Sequence, residues 1–246
     1  MFGAIPFPDI DPVIFSIGGF SLRWYAVSYI VGIALGWQVM KYLLNRASLW
    51  LDDTAPMAAA KLEDLLTYIV IGVIGGGRLG YVLFYRPAHY LANPLEIPML
   101  WTGGMSFHGG FLGVVFAVYL FSRRHKVPLG SLADLTAIAA TPAILLVRIA
   151  NFINSELWGR PTDVAWAVTF PNTPTTGCPD PTQICGRHPS QLYEAGLEGL
   201  ILGLLLLFLA TCMGALKKPW TLSGVFFAGY GVARFMVEFV RQPDAQ

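Results

Sequence analysis

The sequence predicts an all-α polytopic membrane protein, a bundle of about six transmembrane helices with one long loop region on its outer side. Three observations predict this class. Hydrophobic residues make up 55% of the 246 residues and charged residues only 13%, about half the charged share of a soluble domain. Mean hydropathy is +0.57, a value that excludes intrinsic disorder as well. The apolar residues also gather into six stretches of roughly 17–23 residues, where about 20 are needed to cross the hydrocarbon of a bilayer.

Taken in order, residues 1–21 have no basic leader, because the first basic residue is Arg23, so they do not read as a signal peptide. Pro6, Pro8 and Pro12 argue against a long helix there and leave an interfacial segment. The six spans then run over 22–44, 65–84, 105–121, 135–153, 191–213 and 222–240. Lys41, Arg46 and Lys61 follow the first span, Arg123, Arg124 and Lys126 the third, and Lys217 and Lys218 the fifth. These loops hold every lysine of the chain, so they belong on the cytoplasmic side. The N-terminus and the 155–190 loop then face outward, and the whole of 1–246 reads as one integral membrane domain.

Composition narrows function further. Sixteen basic against fifteen acidic residues give a net charge of +1, so no basic excess points to nucleic acid. Cys178 and Cys185 lie in the Pro/Gly-rich outer loop, where disulfides persist; spacing alone leaves a disulfide and two free thiols both open. No Cys-x-x-Cys pair supports a metal site, and Cys212 reads as a small apolar filler within the fifth span. No internal repeat of the kind many transporters carry is visible.

Ionisable side chains within spans are costly and usually functional, and here they collect toward the outer helix ends. Gly72, Gly76 and Gly80 form a doubled small-xxx-small face that predicts close helix packing, and Arg78 lies between its last two glycines. The glycines before Arg78 lack the strand, Lys and Ser/Thr of a nucleotide-binding loop. His108 stands among Gly103, Gly104, Gly109 and Gly110, with open backbone around the side chain that titrates nearest neutrality. Arg148, Asn151 and Ser155 share one helical face, as do Gln191, Glu194 and Glu198. Tyr230, Arg234, Glu238 and Arg241 form a third polar stripe, which cannot face lipid. The sum is an outward polar cavity with two or three arginines and compensating glutamates. Guanidinium suits phosphate, and the anion with a lipid tail most available in a membrane is a phospholipid headgroup. An anion or lipid transporter lined by the same arginines is the rival reading.

The run Val147-Arg148-Ile149-Ala150-Asn151-Phe152-Ile153-Asn154-Ser155-Glu156-Leu157-Trp158-Gly159-Arg160-Pro161-Thr162 resembles the G-R-x-x-N-F-x-N-x-E-x-x-G-x-x-T signature of the bacterial prolipoprotein diacylglyceryl transferases. Further matches are Asp11 to Phe15, Arg23-Trp24-Tyr25, Gly76 to Val82, Gly103 to Gly110, Arg187 to Glu194 and 230–246 (YGVARFMVEFVRQPDAQ). The resemblance implies a multi-pass enzyme of the bacterial inner membrane, with its N-terminus and active-site side periplasmic. Such an enzyme moves the diacylglyceryl group of phosphatidylglycerol onto the lipobox cysteine of a prolipoprotein signal peptide, forms a thioether and releases glycerol phosphate, with no metal or cofactor. Carried over as functional are Tyr25, His108, Arg148, Asn151, Glu156, Gly159, Tyr230, Arg234, Glu238 and Arg241, to which Arg78 and Asn154 are added as binding residues. Two departures stand out: Val147 replaces the signature glycine, and family members look like seven-helix proteins that continue past the RQPDAQ stretch, whereas this sequence stops at Gln246, which leaves a truncated chain and a bundle without that last helix both open.

The chemistry assigns roles. Arg148 and Arg234 are expected to hold the phosphate, His108 to take the thiol proton, Glu156 and Glu238 to orient the arginines or balance their charge, and Asn151 and Tyr25 to donate to the headgroup. Gly159 is expected to permit a turn. Arginine-derived positive potential acting on the thiol is the alternative to a base. These roles fail if Arg148 and Arg234 lie far apart, or if each is locked to a carboxyl partner with no room for a lipid.

Overall fold

The computed structural model describes residues 4–171, 173–180 and 182–243. Positions 1–3 of the N-terminal segment, 172 and 181 of the outer loop, and 244–246 at the end of the YGVARFMVEFVRQPDAQ match lie outside the described residues. Helices stand at all six expected places: α1 (Trp24–Leu44), α2 (Leu62–Phe84), and, after the short α3 (Pro87–Ala92), α4 (Phe107–His125) and α5 (Leu129–Ile153). The fifth place holds α6 (Ser190–Glu194), a π-helical stretch (Ala195–Ile201) and α7 (Leu202–Cys212); the sixth is α8 (Thr221–Glu238). Four runs, Trp24–Leu44, Ala59–Phe84, Leu129–Ile153 and Ser190–Cys212, are long and apolar enough to cross a membrane. Glycines and ionic residues, among them Arg123 and Arg124 in α4 and Arg234 and Glu238 in α8, make the other two less apolar. Large apolar side chains such as Ile71, Leu204 and Phe235 are more than half exposed, as lipid-facing helices require.

The chain divides into two compact units. One comprises Met1–Val39, Thr136–Ala215 and Thr221–Gln246, the other Met40–Leu135 and Leu216–Trp220. In the first unit the Pro-rich N-terminal segment makes strands rather than a helix. β1 (Ile5–Pro6) pairs in parallel with β4 (Val168–Thr169), and β2 (Val13–Ile17) pairs antiparallel with β3 (Phe20–Arg23). The β2–β3 turn leaves Ile17 and Phe20 mostly exposed.

Helix approach in this unit runs through small residues. Gly32 and Gly36 of α1 lie against Ala143 and Ala139 of α5 so closely that a β-carbon at either would strike the opposing backbone. Gly199 and Gly203 bring the fifth helix equally close to Leu145 and Thr141 of α5. This is the short-range contact that association in lipid depends on, because hydrocarbon provides no hydrophobic drive between helices.

The 155–190 loop is pinned on itself. Cys178 and Cys185 form a disulfide, which resolves the alternative that spacing left open. Arg187 is fully buried. It donates to the carbonyls of Pro174 at 2.7 Å and of Gly159 and Thr176 at 3.3 Å, and it stacks on Trp158 at 4.4 Å.

In the second unit, α2 and α4 form the tightest pair. Gly72 and Gly76 of α2 face Gly113 and Gly109 of α4, and a β-carbon at any of them would collide with a carbonyl oxygen across the interface. The predicted small-residue face is thus the contact face. Ser106 caps α4 by accepting from the Gly109 N–H at 3.2 Å, and Lys126 ends the helix in a left-handed conformation. Helix α5 begins six residues before the apolar stretch because Ser131 and Asp134, polar in sequence, are buried.

Candidate active site

Four helices of the first unit supply one polar cluster. Arg148 projects from α5, Glu194 from α6, Glu198 from the middle of the π-helical stretch, and Tyr230, Arg234 and Glu238 from successive turns of α8. Glu194 is 1% exposed and divides its carboxylate: one oxygen accepts from Arg148 Nη1 at 3.0 Å, the other from Arg234 Nη1 at 2.5 Å. Arg148 Nη2 reaches Glu198 at 3.5 Å, and Arg234 Nη2 reaches Glu238, one turn on, at 3.2 Å. The Tyr230 hydroxyl lies within the electrostatic reach of Arg148. The two arginines therefore meet on a shared carboxylate, and their side chains keep 20% and 31% exposure. The arginines lie together, as the sequence reading required; each is paired with two carboxylates, Arg148 with Glu194 and Glu198 and Arg234 with Glu194 and Glu238, and each keeps part of its side chain exposed.

A second layer lies one turn along α5. Asn151 is buried and donates to Glu156 at 2.6 Å, with Asn154 donating to the same oxygen at 3.5 Å. Gln191 ties in by donating to the Glu156 carbonyl. Tyr25 and Tyr29 of α1 share a hydrogen bond at 3.3 Å, and Tyr29 lies within the electrostatic reach of Arg148 and Glu156. Beside the end of α5 a cavity of about 560 Å³ opens among Phe7, Pro8, Ile153, Asn154, Phe170 and Ile184, roughly 9 Å along the helix from Arg148. Among the described residues no group of three or more His, Cys, Asp or Glu side chains could hold a metal ion.

Residues 12–246 match the family model for prolipoprotein diacylglyceryl transferase. The chain is 58% identical to the phosphatidylglycerol–prolipoprotein diacylglyceryl transferase of Ruegeria pomeroyi, covering all of this chain and 85% of that one. It is 57% identical to that of Roseobacter denitrificans with the same coverage. Identity to that of Agrobacterium fabrum is 48% over 98% of this chain and 83% of the relative. The chain belongs to the prolipoprotein diacylglyceryl transferase family.

Set beside the family pattern, several expected residues have a different placement. Glu156, expected to orient an arginine, instead holds Asn151 and Asn154; of the two glutamates given that role, only Glu238 meets an arginine. Gly159 does not turn the chain through a left-handed conformation. It is the point where three segments touch: its N–H donates to the His188 carbonyl at 2.8 Å, and a β-carbon there would lie 2.6 Å from the Val240 carbonyl. Arg241 pairs its backbone with Gly159 as an isolated bridge, and its carbonyl accepts from Arg160 Nε at 2.9 Å.

Arg78 and His108 belong to the second unit. Arg78 was expected at the lipid headgroup, but its guanidinium is committed to the backbone. It donates to the carbonyls of Ile97 at 2.8 Å, Glu96 at 2.7 Å and Gly104 at 3.2 Å, and to that of Gly103, and it lies over the Tyr90 ring. With 3% exposure, it staples the 96–104 segment to α2. His108 sits in the first turn of α4, its ring edge-on to Phe107.

Sequence reasoning kept Glu194 and Glu198 only as counter-charges and passed over Tyr29. The available signal was the shared face of Gln191, Glu194 and Glu198, all at most 1% exposed; three polar side chains buried on one transmembrane face mark a site whichever partner each finds.

Proposed function

We propose that this chain transfers the diacylglyceryl group of phosphatidylglycerol to the lipobox cysteine of prolipoproteins, the first step of lipoprotein maturation. The observation that carries this reading is the Arg148–Glu194–Arg234 arrangement: two guanidinium groups on one buried carboxylate, each with surface to spare. Arg148, Arg234 and Glu194 alone sum to +1, which attracts a phosphodiester. The sulfur attacks the glycerol carbon that bears the phosphate ester; the S–C bond forms as the C–O bond breaks, and glycerol phosphate leaves with the oxygen. Arg148 and Arg234 stabilise the charge that develops on that oxygen, each charge-assisted contact contributing about 1.5–3 kcal/mol. The nucleophile is a thiolate, and His108 is the acceptor for its proton, a role that rests on its imidazole and on the glycine-rich motif around it. Asn151, held by Glu156, and Tyr25, held by Tyr29, are donors for the headgroup.

On this reading the protein lies in the bacterial inner membrane, with the lysine-bearing loops cytoplasmic and the 155–190 loop periplasmic. The disulfide supports that side, because disulfides persist in an oxidising compartment. Nothing observed favours the transporter alternative. The test is incubation of the purified protein with phosphatidylglycerol and a lipobox peptide. A peptide mass gain of one diacylglyceryl unit is expected; no gain from folded protein overturns the proposal.

A further inference from the structure

The charges of the cluster do not suit an anionic donor if every glutamate is ionised. Arg148 and Arg234 against Glu194, Glu198 and Glu238 then sum to −1, and a phosphodiester brings a further negative charge. One of the three carboxyls differs from the others. Glu194 has two close arginine partners, and Glu238 is half exposed. Glu198 is fully buried, meets Arg148 at 3.5 Å, and among the described residues leaves Oε1 with no hydrogen-bond partner. An ionised carboxylate in that setting bears its desolvation penalty almost uncompensated, whereas the neutral acid does not. The charged and titratable groups that face it are Arg148 from α5, Glu194 from α6, and Tyr230 and Arg234 from α8. Its position in the π-helical stretch is a further mark, since single π turns recur at functional sites.

We propose that Glu198 is a positioning residue carried protonated while the donor phosphodiester is bound, and that its ionisation neutralises Arg148 and expels the donor. The inference rests on the function proposed above and adds a proton to it. Donor binding is then linked to the protonation of Glu198, so affinity falls as pH rises through its ionisation. The phosphodiester itself does not titrate in this range.

The experiment measures binding of short-chain phosphatidylglycerol to the full-length protein in detergent by calorimetry, from about pH 6 to about pH 9. Wild-type affinity is expected to weaken by up to about tenfold per pH unit above the ionisation. Glu198→Gln, an isosteric and permanently neutral substitute, loses this slope and at the alkaline end binds the donor roughly tenfold or more tightly than wild type. In transfer assays the pH effect appears in KM rather than in kcat, and Glu198→Asp restores a titration with a displaced midpoint. Infrared difference spectra of the wild type carry a carboxylic C=O band that donor binding strengthens and that Glu198→Gln lacks. Equal pH slopes in wild type and Glu198→Gln, or a wild-type band absent at every pH, overturn the inference alone. Absence of phosphatidylglycerol binding and transfer by the wild type at every pH overturns the proposed function and the inference with it.

Discussion

Replacing Glu194 by glutamine probes the arrangement at its centre, because this carboxylate is the common partner of both arginines. At 3.0 Å and an effective dielectric of about 20, one such pair is worth about 5–6 kcal/mol before desolvation is subtracted. Breaking buried pairs by removing one partner costs about 3–5 kcal/mol. Glutamine keeps the shape and one acceptor oxygen, so one arginine retains a hydrogen bond while the other meets an NH₂ group, donor against donor. Arg148 and Arg234 then also repel each other without a charge between them. Taken at about 1.36 kcal/mol per tenfold, the loss corresponds to between two and four decades in kcat/KM for diacylglyceryl transfer. The assay is peptide modification at limiting donor, with thermal unfolding in detergent alongside to separate mispositioning from misfolding. Transfer by Glu194→Gln within threefold of wild type, with Arg148 and Arg234 still required, would refute the shared-carboxylate argument.

Arg148→Lys retains the charge and loses the planar fork; transfer is expected to fall by at least about tenfold while expression and membrane insertion stay normal, and wild-type turnover would remove Arg148 from the phosphate. His108→Gln should reduce kcat by about 10²–10⁴-fold with donor affinity nearly unchanged; equal losses in both would make the residue structural. Gly113→Val puts a side chain into the Gly72 carbonyl across the α2–α4 contact, an overpacking that costs about 1–3 kcal/mol, to be read as a lowered midpoint in thermal denaturation. Burial holds His188 below the ordinary imidazole range, so the folded loop binds fewer protons than the unfolded chain. Its contribution is complete above about pH 6.5 and declines as pH falls through that value toward the folded pKa. Protection factors of the amides around 159–168, taken relative to their intrinsic exchange rates, should therefore fall on acidification, and His188→Gln should flatten the response.

Helix positions were legible because a bilayer imposes one strong rule, an apolar run of sufficient length; four of the described helices satisfy it in full, and α4 and α8, richer in glycine and charge, still stand where their apolar stretches put them. The Gly72-Gly76-Gly80 face was legible for a similar reason: a small residue every fourth position has little other use in lipid. The N-terminal strands were not, since Ile5–Pro6 has two residues and Val13–Ile17 five, too few for periodicity to register. The π-helical stretch leaves no compositional trace, because it is a change of hydrogen-bond partner rather than of residue type. Arg78 shows the limit most clearly. Sequence identifies a buried cation and suggests a carboxylate or an anion, but its partners are backbone carbonyls of residues 18 to 26 positions away. Any residue supplies a carbonyl, so no pattern could have named them.

Arginines in the interior of a membrane protein need compensating charge, yet an arginine that must bind a phosphate cannot be fully compensated beforehand. Two private carboxylates unable to yield would close the site, and none would expel the arginines from it. A single carboxylate between Arg148 and Arg234 meets both demands, because it anchors two cations while cancelling one. The remaining partners differ in how easily they yield. Glu238 is 49% exposed, so water stabilises it when Arg234 turns to another anion. Glu198 is fully buried, so on the inference above it yields Arg148 by taking up a proton. The site thus retains one positive charge for an incoming phosphodiester, provided that the buried carboxyl is neutral when the lipid arrives.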